Sequence, residues 1–246
     1  MSRSELAERS ATRTLTGLYT RIAPRFRLVE TRLTLPQSGA LYRIVRPATF
    51  DRLLTAVAHD PEQNLPYWAT LWPSGIALAD TVLAHADELR AEPALELGGG
   101  LGVTATAALS AGLDLLVTDY APEALLLCRA NTLRNTGRQP RTLQLNWRQP
   151  PAALFVRAPF RNVLAADVLY ETRDVEPLLT LFERLVAPDG TLWLAEPGRP
   201  PAQRFVAAAR MAGWQDETSD HVGPWPDPED ADVTVRVHRL RRKGGR

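Results

Sequence analysis

Residues Ala94 to Val103 read ALELGGGLGV. A short apolar run ends on Glu96-Leu97, glycines follow at 98, 99, 100 and 102, and Val103 to Ala111 reads as the first turns of a helix. The pattern is strand, glycine loop, helix. Glycines carry no Cβ to hold a ligand off the backbone, and the helix behind them offers unpaired N–H groups. A dinucleotide fingerprint is a poor match, because counting from Gly98 the sixth position is Val103, where a pyrophosphate-binding helix needs a small residue. What remains is E-x-G-x-G-x-G, from Glu96 through Gly98 and Gly100 to Gly102. An ordinary tight strand-to-helix turn is the alternative reading.

Downstream, strands and helices alternate. Leu115 to Thr118 is an apolar strand ending at Asp119, and a helix from Pro122 is closed by Asn135-Thr136-Gly137. Thr142 to Leu145 is a strand ending at Asn146-Trp147, and Pro150 to Pro159 is loop with one helical turn. Val163 to Ala166 is a strand ending at Asp167. The helix from Thr172 to Val186 stops at Ala187-Pro188-Asp189-Gly190, and Thr191 to Ala195 is a strand before Glu196-Pro197-Gly198-Arg199. Nearly continuous apolar strands separated by helices predict an α/β fold, a Rossmann-like, doubly wound and mostly parallel sheet. Val233 to Leu240 alternates apolar with polar residues, as an antiparallel strand near the sheet's end would.

Upstream, residues 1 to about 20 read as a polar amphipathic helix. Phe26 to Leu35 and Ala40 to Val45 flank a turn cluster at Pro36 to Gly39 and predict a hairpin, and Phe50 to His59 predicts a helix. This divides the chain into an extension over 1–64, a ligand-binding domain over 65–241 and a polar tail over 242–246. The extension is expected to lie against the main sheet as a lid or a substrate-facing layer. Tyr67, Trp68 and Trp72 crowd ahead of a helix that starts at Pro73. They fit a hydrophobic staple, or an aromatic wall for a planar or cationic ligand.

Composition bounds the remaining classes. With 45% hydrophobic residues, 23% charged and a net charge of +1, the chain reads as an ordinary globular protein. It shows neither a signal peptide nor ~18 consecutive apolar residues, so the expected location is cytoplasmic, away from membranes. One cysteine and four scattered histidines give no metal-ligand spacing. Lys243 is the only lysine. Ten arginines stand against five acids in the first 60 residues, which fits a solvated face or a partner with an acidic surface.

In an open α/β sheet the ligand lies at the carboxyl ends of the strands. Asp119, 23 residues after Glu96, is placed to accept ribose hydroxyls, or else forms the turn before Pro122. Asn146 suits an adenine amino edge, with Trp147 on the ring or in the core. Asp167 either caps the next helix or faces the cleft. Thr172 is better placed for the cap.

Trp72 to Gly75 (W-P-S-G), E-L-G-G-G-L-G, Asp119, the Asn-Trp pair and D-V-L-Y-E at Asp167 to Glu171 together resemble the S-adenosylmethionine-dependent protein lysine methyltransferases. Within that group the likeness runs to the enzymes that modify the electron transfer flavoprotein β-subunit, and it covers residues 65 to about 200. The resemblance implies a seven-stranded sheet and S-adenosyl-L-methionine as cofactor. It makes Asp167 and Tyr170 the D-x-x-Y pair that engages the target amine. Around the cofactor it sets Trp72, Gly98, Gly100, Asp119 and Trp147, and the same set takes in Glu96, Gly99, Tyr120, Asn146 and Ala166. The implied partner is a protein substrate, that β-subunit or another lysine-bearing protein. Ser74 replaces a glycine of the family pattern, Asn146 stands where an acid is common, and Glu196 replaces an aspartate. D-V-L-Y lacks the prolines of the nucleic-acid amino methyltransferases, N-P-P-Y or D-P-P-Y, which points away from nucleic acid. A small-molecule nitrogen as acceptor, or cofactor binding without catalysis, are the competing readings.

Overall fold

The computed structural model describes residues 3–49, 65–89 and 92–242, and backbone alone for 3–9. The helix expected over 50–59 lies outside these. Seven strands form one sheet in the order β5-β4-β3-β6-β7-β9-β8. They are β3 (Pro93–Leu97), β4 (Asp114–Asp119), β5 (Arg141–Gln144), β6 (Phe160–Ala166), β7 (Val186–Glu196), β8 (Trp214–Val222) and β9 (Thr234–Arg242). β3 to β7 run parallel, and β9 is antiparallel to both β7 and β8. The chain leaves β3 toward β4 and β5, then returns to pair β6 on its other side. That reversal is the switch point, and it sets the end of the glycine loop beside the end of β6.

Period-two alternation sorts the apolar strand residues onto two faces. Ala94, Leu115, Val117, Leu164, Trp193 and Val237 pack on one side. There they meet α2 (Pro73–Ala84), α3 (Val103–Ser110) and α4 (Pro122–Thr136). Leu95, Leu97, Leu116, Val163, Leu192 and Leu194 face α5 (Val175–Leu185) and α6 (Pro200–Met211), where Phe182 and Phe205 meet edge to face at 5.6 Å. Helix boundaries follow local chemistry. α4 starts on Pro122, whose fixed φ suits the first helical position, and ends at Gly137 in the left-handed region.

Two of the longer described elements escaped the sequence reading. β8 reads WQDETSDHV and buries little besides Trp214 and His221, because it is an edge strand with no apolar period. α6 opens on two consecutive prolines, which read as loop. Arg242, expected to open the tail, is the last residue of β9.

The extension sits differently from the expectation. α1 (Arg3–Ile22) and the hairpin of β1 (Leu28–Thr34) and β2 (Leu41–Pro47) pack on helices α4 and α2, outside the main sheet. The attachment is polar and specific. Asn131 Oδ1 accepts the Val45 N–H at 2.8 Å while its Nδ2 donates to Val45 O at 3.0 Å, and Asn135 repeats both bonds with Arg43. Four helical residues rise ~6 Å and two strand residues ~6.8 Å, so amides at i and i+4 of α4 match alternate residues of β2. Two side chains thus continue the ladder across the free edge of the hairpin. Its turn is held by Asp80 of α2, which accepts the N–H groups of Gln37 and Ser38.

Asn131 is fully buried and also donates to Leu101 O, so its loss strands several backbone groups. Asn131→Ala is expected to cost about 2–4 kcal/mol, and Asn135→Ala, at a more exposed position, about 1 kcal/mol. Urea unfolding midpoints at unchanged slope measure both. Equal, small effects would show that the hairpin is held by apolar packing instead.

Candidate active site

The ends of β3 to β6, the 65–72 segment and Phe26 enclose a cleft of about 360 Å³. All twelve residues singled out from the sequence line it: Trp72, Glu96, Gly98, Gly99, Gly100, Asp119, Tyr120, Asn146, Trp147, Ala166, Asp167 and Tyr170. Its floor is the glycine loop. Gly98 has φ +70°, and a Cβ there would come within 2.9 Å of Val168 Cγ1, so this position takes no side chain without displacing β6's exit. Gly100 has φ +48°, and its N–H donates to Asp119 Oδ2 at 2.9 Å.

Asp119 therefore fills both roles open to it. Oδ1 accepts the Ala121 N–H at 2.9 Å and shapes the turn before Pro122, while Oδ2 ties the glycine loop to β4. The Tyr120 N–H bonds this carboxylate as well, and the lone pair that remains is open to a ligand hydroxyl. Burial pushes the Asp119 carboxyl up to about 6, against the pull of these backbone N–H groups. Glu96 is 3% exposed, and its Oε2 has no hydrogen-bond partner among the described residues. Burial, then the nearby Asp119 charge, raises it well above the usual carboxylate range. A pair of desolvated acids of this kind calls for a ligand bearing hydroxyls and positive charge.

The upper wall is aromatic. Tyr67 and Tyr170 meet edge to face at 5.0 Å, Tyr67 and Trp72 at 6.0 Å, and Trp147 and Tyr170 at 6.3 Å. Trp72 occupies the residue before α2 and donates its indole N–H to Tyr67 O at 2.7 Å, which fixes the entry of that helix as a staple would. Phe26 packs edge to face on Trp68 at 6.0 Å and is the extension's contribution to the cleft among the described residues. Burial raises the Tyr170 hydroxyl, with Asp174 and Asp119 adding to the effect, so it stays protonated.

Side-chain partners correct one sequence expectation, the Thr172 cap, and add detail to those for Asn146 and Asp167. Asp174, not Thr172, occupies the N-cap of α5, and its carboxylate makes no cap bond. It accepts the Trp147 indole N–H at 2.9 Å and Arg148 Nε at 2.7 Å, which orients Trp147 toward the cleft. Asn146 Oδ1 accepts the Arg148 N–H at 3.0 Å, a local turn bond. Asp167 is not open to an incoming amine on both oxygens. Its Oδ1 pairs with the Arg199 guanidinium, which also lies 5.7 Å from the Trp72 ring centroid, while Oδ2 is buried and has no partner among the described residues.

Asp167 holds φ +56°, a left-handed conformation that a non-glycine residue keeps only where its surroundings impose it. Its N–H donates to Ala195 O at 3.0 Å. Burial pushes its carboxyl up to about 6, held back by Arg199. Spacing gives no sign of this pair, because Arg199 and Asp167 lie 32 residues apart, beyond the ends of separate strands. Among the described residues no three His, Cys, Asp or Glu side chains cluster as metal ligands.

Comparison with known proteins agrees with this geometry. Residues 61–208 match the family described as lysine methyltransferase. Histone-arginine methyltransferase METTL23 of Xenopus laevis is 26% identical over 62% of this chain and 67% of its own length. The electron transfer flavoprotein beta subunit lysine methyltransferase of Rattus norvegicus is 31% identical over 55% and 52% respectively. The matches thus span about half to two thirds of these relatives. Among solved structures, the N-methyltransferase NodS from Bradyrhizobium japonicum WM9, in complex with S-adenosyl-L-homocysteine, superposes with a TM-score of 0.52 at 18% identity, covering 79% of this chain and 98% of that one. The ribosomal protein L11 methylase from Lactobacillus delbrueckii subsp. bulgaricus gives 0.51 at 16% identity, covering 70% and 81%. With more than half its length matched and the same fold around the glycine loop, the chain belongs to the lysine methyltransferase family of S-adenosylmethionine-dependent enzymes.

Proposed function

We propose that this protein methylates a side-chain nitrogen of a protein substrate, with lysine as the acceptor. The observation that carries the reading is Asp167 and Tyr170 at the end of β6, in a wall of aromatic rings directly beside the glycine loop. The residues fit the cofactor by their chemistry. Asp119 suits a ribose diol, Trp147 an adenine ring, and the unpartnered Glu96 carboxylate a positively charged amino group. When bound, S-adenosylmethionine supplies a methyl group on a sulfonium, which departs as a neutral thioether with the C–S electron pair when a nitrogen lone pair forms the new N–C bond.

The chain's task is then alignment and exclusion of water. A lysine amine has an unperturbed pKa of about 10.4 and attacks only when neutral. The aromatic wall disfavours its charged form, Asp167 Oδ2 accepts one of its N–H groups, and the Tyr170 hydroxyl completes its orientation. After transfer the nitrogen carries an extra proton, which passes to solvent.

One observation favours a second acceptor. Arg199 already seats a guanidinium between Asp167 and Trp72, and relatives are named histone-arginine methyltransferases, so an arginine side chain is the alternative. Incubation of the purified protein with radiolabelled S-adenosylmethionine and a bacterial lysate tests the reading, followed by acid hydrolysis of any labelled band. Labelled methyl-lysine in a discrete protein supports it, and purified electron transfer flavoprotein β-subunit is the first defined substrate to try. Methyl-arginine supports the second reading, and label confined to small molecules rejects both.

Asp167→Ala is expected to lower turnover by about 100-fold or more and leave cofactor affinity within about twofold, whereas Asp119→Ala weakens the cofactor by about 10- to 100-fold. Calorimetry beside the transfer assay separates them. Loss of cofactor binding in Asp167→Ala would place that residue in the cofactor site instead. The pH dependence has a definite sign. Both carboxyls titrate at about 6 and act when ionised, so turnover and cofactor affinity fall as pH drops through 6. Profiles flat to pH 5 would contradict these roles.

A further inference from the structure

We infer that Arg199 is a positioning residue for methyl transfer: it occupies Oδ1 of Asp167 and leaves Oδ2 as the acceptor presented to the incoming nitrogen. The inference rests on the proposed function. Asp167 lines the cleft with its carboxylate nearly inaccessible to water, at 8% side-chain exposure. A carboxylate in that setting can rotate, or take up a proton and turn from acceptor into donor. The charged groups acting on it are Arg199 from the start of α6, Glu196 from the end of β7 and Asp230 from the 228–230 turn. Two of the three are acids, so Arg199 is the cation that keeps the group an acceptor.

The placement of Arg199 is built into the fold. It is the N-cap residue of α6, one position after Gly198, whose φ of +86° turns the chain back toward β6. The Gly198 N–H donates to Glu196 Oε2 at 2.5 Å. Glu196 Oε1 lies 3.5 Å from His238 Nε2, and His238 Nδ1 lies 3.0 Å from Asp216. A polar line across β7, β9 and β8 therefore braces the turn that delivers the guanidinium. On its other side Arg199 lies over Trp72, so its fork is held between an indole face and one carboxylate oxygen.

Two measurements on the full chain test this. The first needs no substrate: urea unfolding of wild type, Arg199→Met, Asp167→Asn and the double variant between pH 5 and 8. The pair exists only when Asp167 is ionised, so the cost of Arg199→Met is expected to grow as pH rises through 6, and to lose that growth in the Asp167→Asn background. The second measures label transfer to the lysate protein. Arg199→Met is expected to lower kcat by about 10- to 100-fold, keep cofactor affinity within about twofold and move the acid limb of the pH profile upward, with Arg199→Lys recovering part of the rate. An active enzyme in which Arg199→Met keeps its rate and pH profile overturns the inference alone. A pH-dependent coupling in a protein that transfers to nothing overturns the functional reading, and the role of Arg199 with it.

Discussion

An ionised carboxylate loses several kcal/mol of hydration on leaving water, and this chain takes Glu96, Asp119 and Asp167 out of water within one cleft. Much of the surrounding structure answers that cost. Asp119 is compensated by backbone N–H groups of the glycine loop and of the turn after β4 and Asp167 by a guanidinium, while Glu96 Oε2 has no hydrogen-bond partner among the described residues. The gradation matches the tasks assigned to them. On the proposed reading, the acid most embedded in backbone bonds holds the loop in shape, and the one with a single cation partner keeps an oxygen for the reacting nitrogen. On the same reading Glu96, with its unpartnered Oε2, meets the charged end of the ligand.

The sheet topology makes this arrangement possible. Because β3 lies between β4 and β6, the first and second acids leave adjacent strands on one side of the switch point and the third leaves the strand on the other. The left-handed Asp167 and the positive φ values at Gly98 and Gly100 then bend the exits of β6 and β3 toward one volume. The extension serves the same cleft from outside. Its hairpin is clamped to α4 by Asn131 and Asn135 and to α2 by Asp80, and this fixes Phe26 against Trp68 at the cleft wall.

Much of this was legible in the residues. Buried parallel strands such as Leu115 to Thr118 announce themselves by continuous apolar composition, and the strand-end rule then points to Asp119, Asn146 and Asp167 without knowledge of the fold's details. β8 was illegible because an edge strand of polar residues carries no period, and α6 because Pro200 and Pro201 read as a break. The docking of the hairpin was hidden for a different reason. An asparagine on a helix shows nothing locally of the strand it will pair with. Likewise the pairing of Arg199 with Asp167, and of Asp174 with Trp147, joins residues from separate strand exits. Such tertiary choices decide which acid is free and which is occupied, and composition or spacing does not encode them.

Asp119 and Asp167 are both held in a desolvated, ionisable state beside the glycine loop. The most direct measurement is a carbon-13 NMR titration of the aspartate side-chain carboxyls in the purified protein, with Asp119→Asn and Asp167→Asn as assignments. Two carboxyls titrating at about 6, each lost in one variant, are the predicted result. Both titrating at about 4, the unperturbed range, would contradict the cleft as described.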